Sequence, residues 1–254
     1  MNNLVSFYTI LRYSVARMIA IWKQTLIAPL VSTSLYFIIF GTFIGSRVGE
    51  VSGFDYMTFI IPGIVMMPAI TASYMQSGFV LFMARFQKWI EDILISPTSP
   101  FCLLAGLVLG GAIRGIIIST LTLIISLFFS KLHIFNIAYI VLFMVLTTVF
   151  FSLLGFASGL HARNFDDMNI LPTFVLTPLT YLGGVFYSIN ALPEFWQTIS
   201  KLNPILYMVN GFRYGFLGVS DVNVNAGIGI LIIFIVIASS YNLYLMKKGV
   251  GLRT

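Results

Sequence analysis

Few residues in this chain could carry chemistry: eight acids, two histidines, one cysteine and fourteen bases in 254 residues. His161 and Asp166, in "HARNFDD", come nearest to a general-base pair, because a carboxylate can orient an imidazole. No nucleophile accompanies them, and a solvated turn explains both. His133 reads as a surface residue and Cys102 as packing. A lone cysteine excludes an intrachain disulfide and a thiolate metal cluster. Neither HExxH nor GxSxG occurs, and the absence of GxxxxGK[ST] leaves no P-loop for nucleotide phosphates. The acids are Glu50, Asp55, Glu91, Asp92, Asp166, Asp167, Glu194 and Asp221, all outside the long apolar stretches. Proton-driven carriers rely on buried carboxylates or histidines, so ion-coupled transport is disfavoured.

Three stretches remain. "RFQKWIEDILISPTSP" gathers Arg85, Lys88, Glu91 and Asp92. Phe86, Trp89, Ile90, Ile93 and Leu94 fall on one helical face, which predicts an amphipathic helix over residues 85–96, ended by Pro97 and Pro100. "GGAIRG" places Arg114 inside an apolar run, ~20 Å along it at 1.5 Å per residue. A lipid-facing arginine there costs at least ~2.5 kcal/mol, so Arg114 should face protein or a cavity, either satisfied by carbonyls or serving a pathway. Gly110, Gly111 and Gly115 would let another backbone approach it. "LPTFVLTPLTYLGGVFYS" carries Pro172, Pro178, Gly183 and Gly184, and reads as a kinked span, static or flexing along a pathway.

The elements that must hold these residues are set by composition. The chain is 59% hydrophobic and 9% charged, with a mean hydropathy of +0.99; a soluble domain is about half apolar and about a quarter charged. An all-α integral membrane protein follows. Spans are expected near Leu26–Ile44, Met57–Val80, Leu103–Phe129, Phe135–Leu160, Ile170–Ile189 and Gly227–Met246, each about 20 residues. With both termini cytoplasmic, Arg12, Arg17, Lys23, Arg85, Lys88, Arg163, Lys247, Lys248 and Arg253 lie inside; Arg47, Lys131, Lys201 and Arg213 lie outside. That asymmetry satisfies the positive-inside rule. The net charge of +6 is scattered between spans, which suits a membrane and not nucleic acid. The first 24 residues lack the cleavage pattern of a signal peptide. Their apolar positions Leu4, Phe7, Tyr8, Leu11, Val15, Met18 and Trp22 suggest a helix in the cytoplasmic interface, or one packed on a neighbour. Residues 192–218 suggest two short re-entrant or interfacial helices, begun by Pro193 and Pro204. The first would use Trp196 as a wedge; Arg213 would sit at the headgroups or pair with Glu194.

At "RFQKWIEDILISPTSP", "LPTFVLTPLTYLGGVFYS" and "LPEFWQTISKLNPILYMVNGFRYGFLG" the chain resembles the ABC type-2 transporter permeases, and the likeness runs over nearly its whole length as a single permease domain, 1–254. The resemblance implies a membrane subunit of a bacterial exporter, multi-pass in the inner (plasma) membrane. It implies a second permease copy, giving a homodimer, and two copies of a separate ATPase that holds ATP and magnesium; this chain itself would need no cofactor. Residues 85–96 would then be a coupling helix presenting Arg85, Lys88, Trp89, Glu91 and Asp92 to the ATPase, with Arg163, Asp166 and Asp167 touching it too. Arg114, Pro172, Pro178, Gly183, Gly184, Trp196 and Arg213 would belong to the pathway and gate. The rival classes are a polytopic enzyme acting on lipid, which would need clustered acids, bases or metal ligands, and a secondary transporter.

Overall fold

Hydrocarbon gives apolar helices no reason to leave lipid for one another, so close backbone approach and buried hydrogen bonds must hold a membrane bundle together. The computed structural model describes residues 3–96, 98–131 and 133–251. Its helices are α1 (Asn3–Ala20), α2 (Lys23–Val48), α3 (Tyr56–Phe86), α4 (Ile90–Ile95), α5 (Pro100–Ser126) and α6 (Ile137–His161). There follow α7 (residues 167–181), α8 (Glu194–Lys201), α9 (Pro204–Leu217) and α10 (Val224–Lys248). Strands β1 (Glu50–Val51) and β2 (Phe54–Asp55) form a small antiparallel hairpin after α2.

Helix α3 is the axis of the bundle, held between α5 and α6. Glycines set how closely they meet. A Cβ at Gly155 of α6 would run into the Tyr74 carbonyl of α3, and one at Gly159 would meet the Gly78 backbone. Helix α5 carries two glycine rows. Gly111 and Gly115 let in the α3 backbone at Ser73 and Ala69, while Gly106 and Gly110 receive Ile10 and Ser14 of α1. The expected close approach beside Arg114 is therefore present. Helices α2 and α10 lie at the periphery, with long apolar faces such as Ile232, Ile233, Val236 and Ile237 left outward, as lipid requires.

The structure refines four expectations. Five helices are long and apolar enough to cross a membrane, and the expected span Ile170–Ile189 is not among them. Helix α7 stops at Tyr181, and its 15 residues cover at most about 22 Å of a ~30 Å core. Gly184 at φ 69° turns the chain away. Pro172 and Pro178 bracket a widened π-turn, Pro172–Leu176; a proline ring crowds the carbonyl four residues back, and widening relieves that clash.

The amphipathic helix is also shorter than predicted. Helix α3 runs on to Phe86, Lys88 adopts a left-handed φ of 63°, and α4 begins only at Ile90. A left-handed terminus normally takes glycine, so the sequence carried no stop signal there. Pro97 lies outside the described residues, as does Arg253. Pro100 opens α5 behind Ser99, whose hydroxyl caps the Phe101 amide at 3.3 Å.

Helix α1 buries Ser6, Ile10, Ser14 and Met18 on α5, so of the expected stripe Met18 alone is fully buried. Leu4 and Tyr8 point outward. Gly106 and Gly110 opposite Ile10 and Ser14 set that contact, because glycines allow the closer crossing.

Finally, of the two expected short helices the second, α9, packs into the bundle. Ile205, Met208, Val209 and Phe212 are all essentially inaccessible, against α6, α10 and α3. In α8, by contrast, Phe195 and Trp196 stay exposed and pack edge-to-face on each other, 5.5 Å apart.

Candidate functional site

The functional candidates fall into three groups. The first is the end of the bundle that carries α4 and the turn between α6 and α7. Glu91, Asp92 and Lys88 are exposed there, on a helix anchored by buried Ile90 and by Trp89, whose ring meets Tyr13 of α1 edge-on at 5.0 Å. A mostly apolar cleft of ≈ 350 Å³ underlies α4, between it, α1 and α5. Arg85 does not join the exposed charges. Its Nη1 donates to the carbonyls of Gly159 (2.6 Å) and Ala162 (3.0 Å), closing the carbonyl end of α6, where a cation is favoured. Phe165 packs on Phe82 at 5.1 Å and Phe86 at 5.3 Å, so the α6–α7 turn and the start of α4 share one footing on α3.

Within that turn, Arg163 and Asp166 are exposed. Asp167 is not free: its Oδ2 accepts the amides of Arg163 (2.8 Å) and Asn164 (3.3 Å). This separates a structural carboxylate from a charge offered to a partner. Asp167→Asn, which still accepts an amide proton, is expected to keep wild-type stability; Asp167→Ala should lose ~1 kcal/mol, as for a lost helix cap, and cleave faster in limited proteolysis. Equal loss in both would mean that the charge itself matters. His161 and Asp166 do not pair: His161 Nδ1 lies 2.8 Å from its own helix's Ala157 carbonyl, and the ring stacks on Tyr241.

The second group surrounds Arg114. It faces a cleft of ≈ 420 Å³ between α2, α3 and α7, lined also by Tyr36, Met67, Met75, Thr177 and Tyr181. Arg114 Nη1 donates to Gln76 Oε1 at 3.0 Å. Gln76 Nε2 in turn donates to the Ser14 carbonyl at 2.8 Å and hydroxyl at 3.3 Å, so one chain of polar groups links α5, α3 and α1. The carbonyls expected as an alternative to a pathway role do not hold Arg114; an amide does. Gln76 escaped the sequence reading, although an amide within an apolar span is itself a signal, being costly there unless paired. The hydroxyls of Tyr36 and Tyr181 meet at 3.4 Å across the same cleft. Its α7 wall is made by Thr177, Thr180 and Tyr181; Pro172 and Pro178 lie in the same helix but not in the lining.

The third group sits at the opposite end. Arg213 is 1% exposed, so it is neither a headgroup anchor nor paired with Glu194. It donates from Nη2 to the Gly184 (2.6 Å) and Val185 (3.4 Å) carbonyls and from Nε to that of Phe59 (3.3 Å), and lies 3.9 Å over the Phe59 ring. Asp221 holds the adjoining turn, accepting the Ser188 hydroxyl at 2.7 Å and the Ile189 amide at 3.0 Å. Gly183 and Gly184 are thus part of a fastened turn, and Trp196 faces outward.

The described residues form a bundle with five helices long and apolar enough to cross a membrane, exposed charges at its ends and Arg114 lining a cleft between its helices. The chain belongs to the ABC-2 type transporter family, whose model matches residues 5–217. It is 47% identical over 250 residues to the inner membrane transport permease YadH of Escherichia coli K12, covering 98% of each chain. It is 24% identical to nodulation protein J of Rhizobium leguminosarum bv. viciae over 232 residues, covering 89% of this chain and 90% of that one.

Proposed function

We propose that this chain is the membrane subunit of an ATP-binding-cassette exporter of the bacterial inner membrane, working as a pair of permeases driven by two separate ATPase chains. The observation that carries the reading is the exposed acid pair Glu91 and Asp92 on a short helix that is anchored to α1 and α3 by its other face, in a chain without a P-loop. A partner that moves α4 would push on the axis helix through the short turn at Lys88. Helix α7 and the fastened segment 182–188 together complete a sixth crossing, the irregular part being tolerable because protein donors cover its carbonyls. The end bearing α4 is cytoplasmic: Lys23, Lys88, Arg163, Lys247 and Lys248 gather there, and the positive-inside rule places such an end inside. The transport route runs through the Arg114 cleft, and export is the direction.

The test uses the full chain co-expressed with its proposed P-loop ATPase partner. The two should co-purify, and Glu91→Lys with Asp92→Lys should abolish transport-coupled ATP hydrolysis while leaving the permease folded, because exposed charge changes rarely cost more than ~0.5 kcal/mol. Undiminished coupling in the double variant would remove α4 from the mechanism.

A further inference from the structure

Every acid of the chain lies in a loop, the hairpin, α4, the α6–α7 turn, the first residue of α7 or α8, and none is among the residues lining the Arg114 cleft. Its single hydrogen bond among the described residues goes to the neutral Gln76, and Nε, although buried, meets no acceptor of the protein. A guanidinium at membrane depth thus keeps its charge unpaired and its buried Nε–H without an acceptor among the described residues, against the rule that such groups pair. The side chain lines a cleft whose walls include Ile64, Met67 and Met75. The Thr177 and Thr180 hydroxyls already donate to the Pro172 and Leu176 carbonyls; Arg114 is the charged group of the lining, with the paired Tyr36 and Tyr181 hydroxyls beside it.

We infer that the Arg114 cleft is a binding site for an amphiphile with one oxyanion headgroup, of the phosphate or carboxylate class, whose planar or tetrahedral oxygens suit the guanidinium fork while its chain lies along the methionine-lined wall. The inference rests on the permease reading only in taking the cleft as part of the transport route. The site itself is defined by charge and shape.

Binding can be read without ATP or transport. The purified full chain in neutral detergent is titrated, by native mass spectrometry, with palmitoyl lysophosphatidate, with uncharged monopalmitoylglycerol and with inorganic phosphate. The wild type should prefer lysophosphatidate over monopalmitoylglycerol by at least about tenfold, ~1.4 kcal/mol. Arg114→Gln should erase that preference and Arg114→Lys keep part of it. Thr177→Glu, at an exposed position of the cleft wall, brings in a carboxylate that repels an anionic headgroup and competes with it for Arg114. It should weaken lysophosphatidate and leave monopalmitoylglycerol unchanged, which keeps the test valid if Arg114→Gln folds poorly. A wild type that does not discriminate, or variants that bind lysophosphatidate as the wild type does, would overturn the site. Inorganic phosphate binding as tightly as lysophosphatidate would overturn the amphiphile and leave a free-anion site. Failure of transport or of ATPase association would bear on the permease reading alone, since neither enters this measurement.

Discussion

Gly155→Leu is expected to abolish recovery of folded protein, while Gly229→Leu leaves it untouched. Both replace a glycine on a membrane helix with the same apolar side chain. The difference lies in what the new atoms meet. At Gly155 a Cβ already collides with the backbone of Tyr74, at the carbonyl and the Cα. Overpacking a core typically costs about 1–3 kcal/mol when side chains can shift; here the obstacle is the main chain of the axis helix. The α3–α6 crossing must open, and with it the Gly78–Gly159 contact one turn further along. At Gly229 a Cβ meets nothing within 4 Å, and leucine would simply face lipid. Size-exclusion profiles of detergent-extracted protein separate the two outcomes. A monodisperse Gly155→Leu variant with wild-type melting would mean that the α3–α6 crossing is not what holds the bundle together.

Arg213→Leu should free the end of the bundle opposite α4. The arginine meets three carbonyls, and those of Gly184 and Val185 lie in the turn that follows α7. Leucine replaces the volume but none of the donors, at about 1–3 kcal/mol for each buried acceptor left unmet. Hydrogen exchange of amides 183–191 should accelerate strongly, while the middle of α3 stays protected. Asp221→Asn should act in the same direction but less, since an amide oxygen still accepts one of the bonds that tie Ser188 and Ile189. Unchanged exchange in Arg213→Leu would show that packing alone fixes this turn. If the segment does serve as a gate, it opens as a fastened unit with α9 and not as a loose flap.

Much of the architecture was legible in the sequence. The apolar runs that became α2, α3, α5, α6 and α10 stand out by length, because a helix that satisfies its own backbone bonds is the form an isolated apolar segment can take in lipid. Loop charges separated the two ends of the bundle for the same reason, since a charge belongs in water. The glycines beside Arg114 announced a close crossing. That the N-terminal segment forms a helix was legible, but its contact face was not: amphipathicity reports what avoids water, whereas Ile10 and Ser14 meet Gly106 and Gly110 of a different helix.

The sequence by itself determined that this is a polytopic helical membrane protein, where most of its spans lie, and that nucleotide chemistry has no motif on it; all of these depend on local composition and reach. Only the tertiary structure decided the fates of the arginines. Arg85, Arg114 and Arg213 look alike as isolated bases near apolar runs, yet one closes the end of α6, one faces a cleft beside an amide, and one fastens a turn 29 residues before it in the chain. The structure likewise ended α3 at a left-handed Lys88 and stopped α7 at Tyr181. A charge finds its acceptors, and a helix its end, among groups brought near by folding, and the spacing of residues along the chain does not carry that distance.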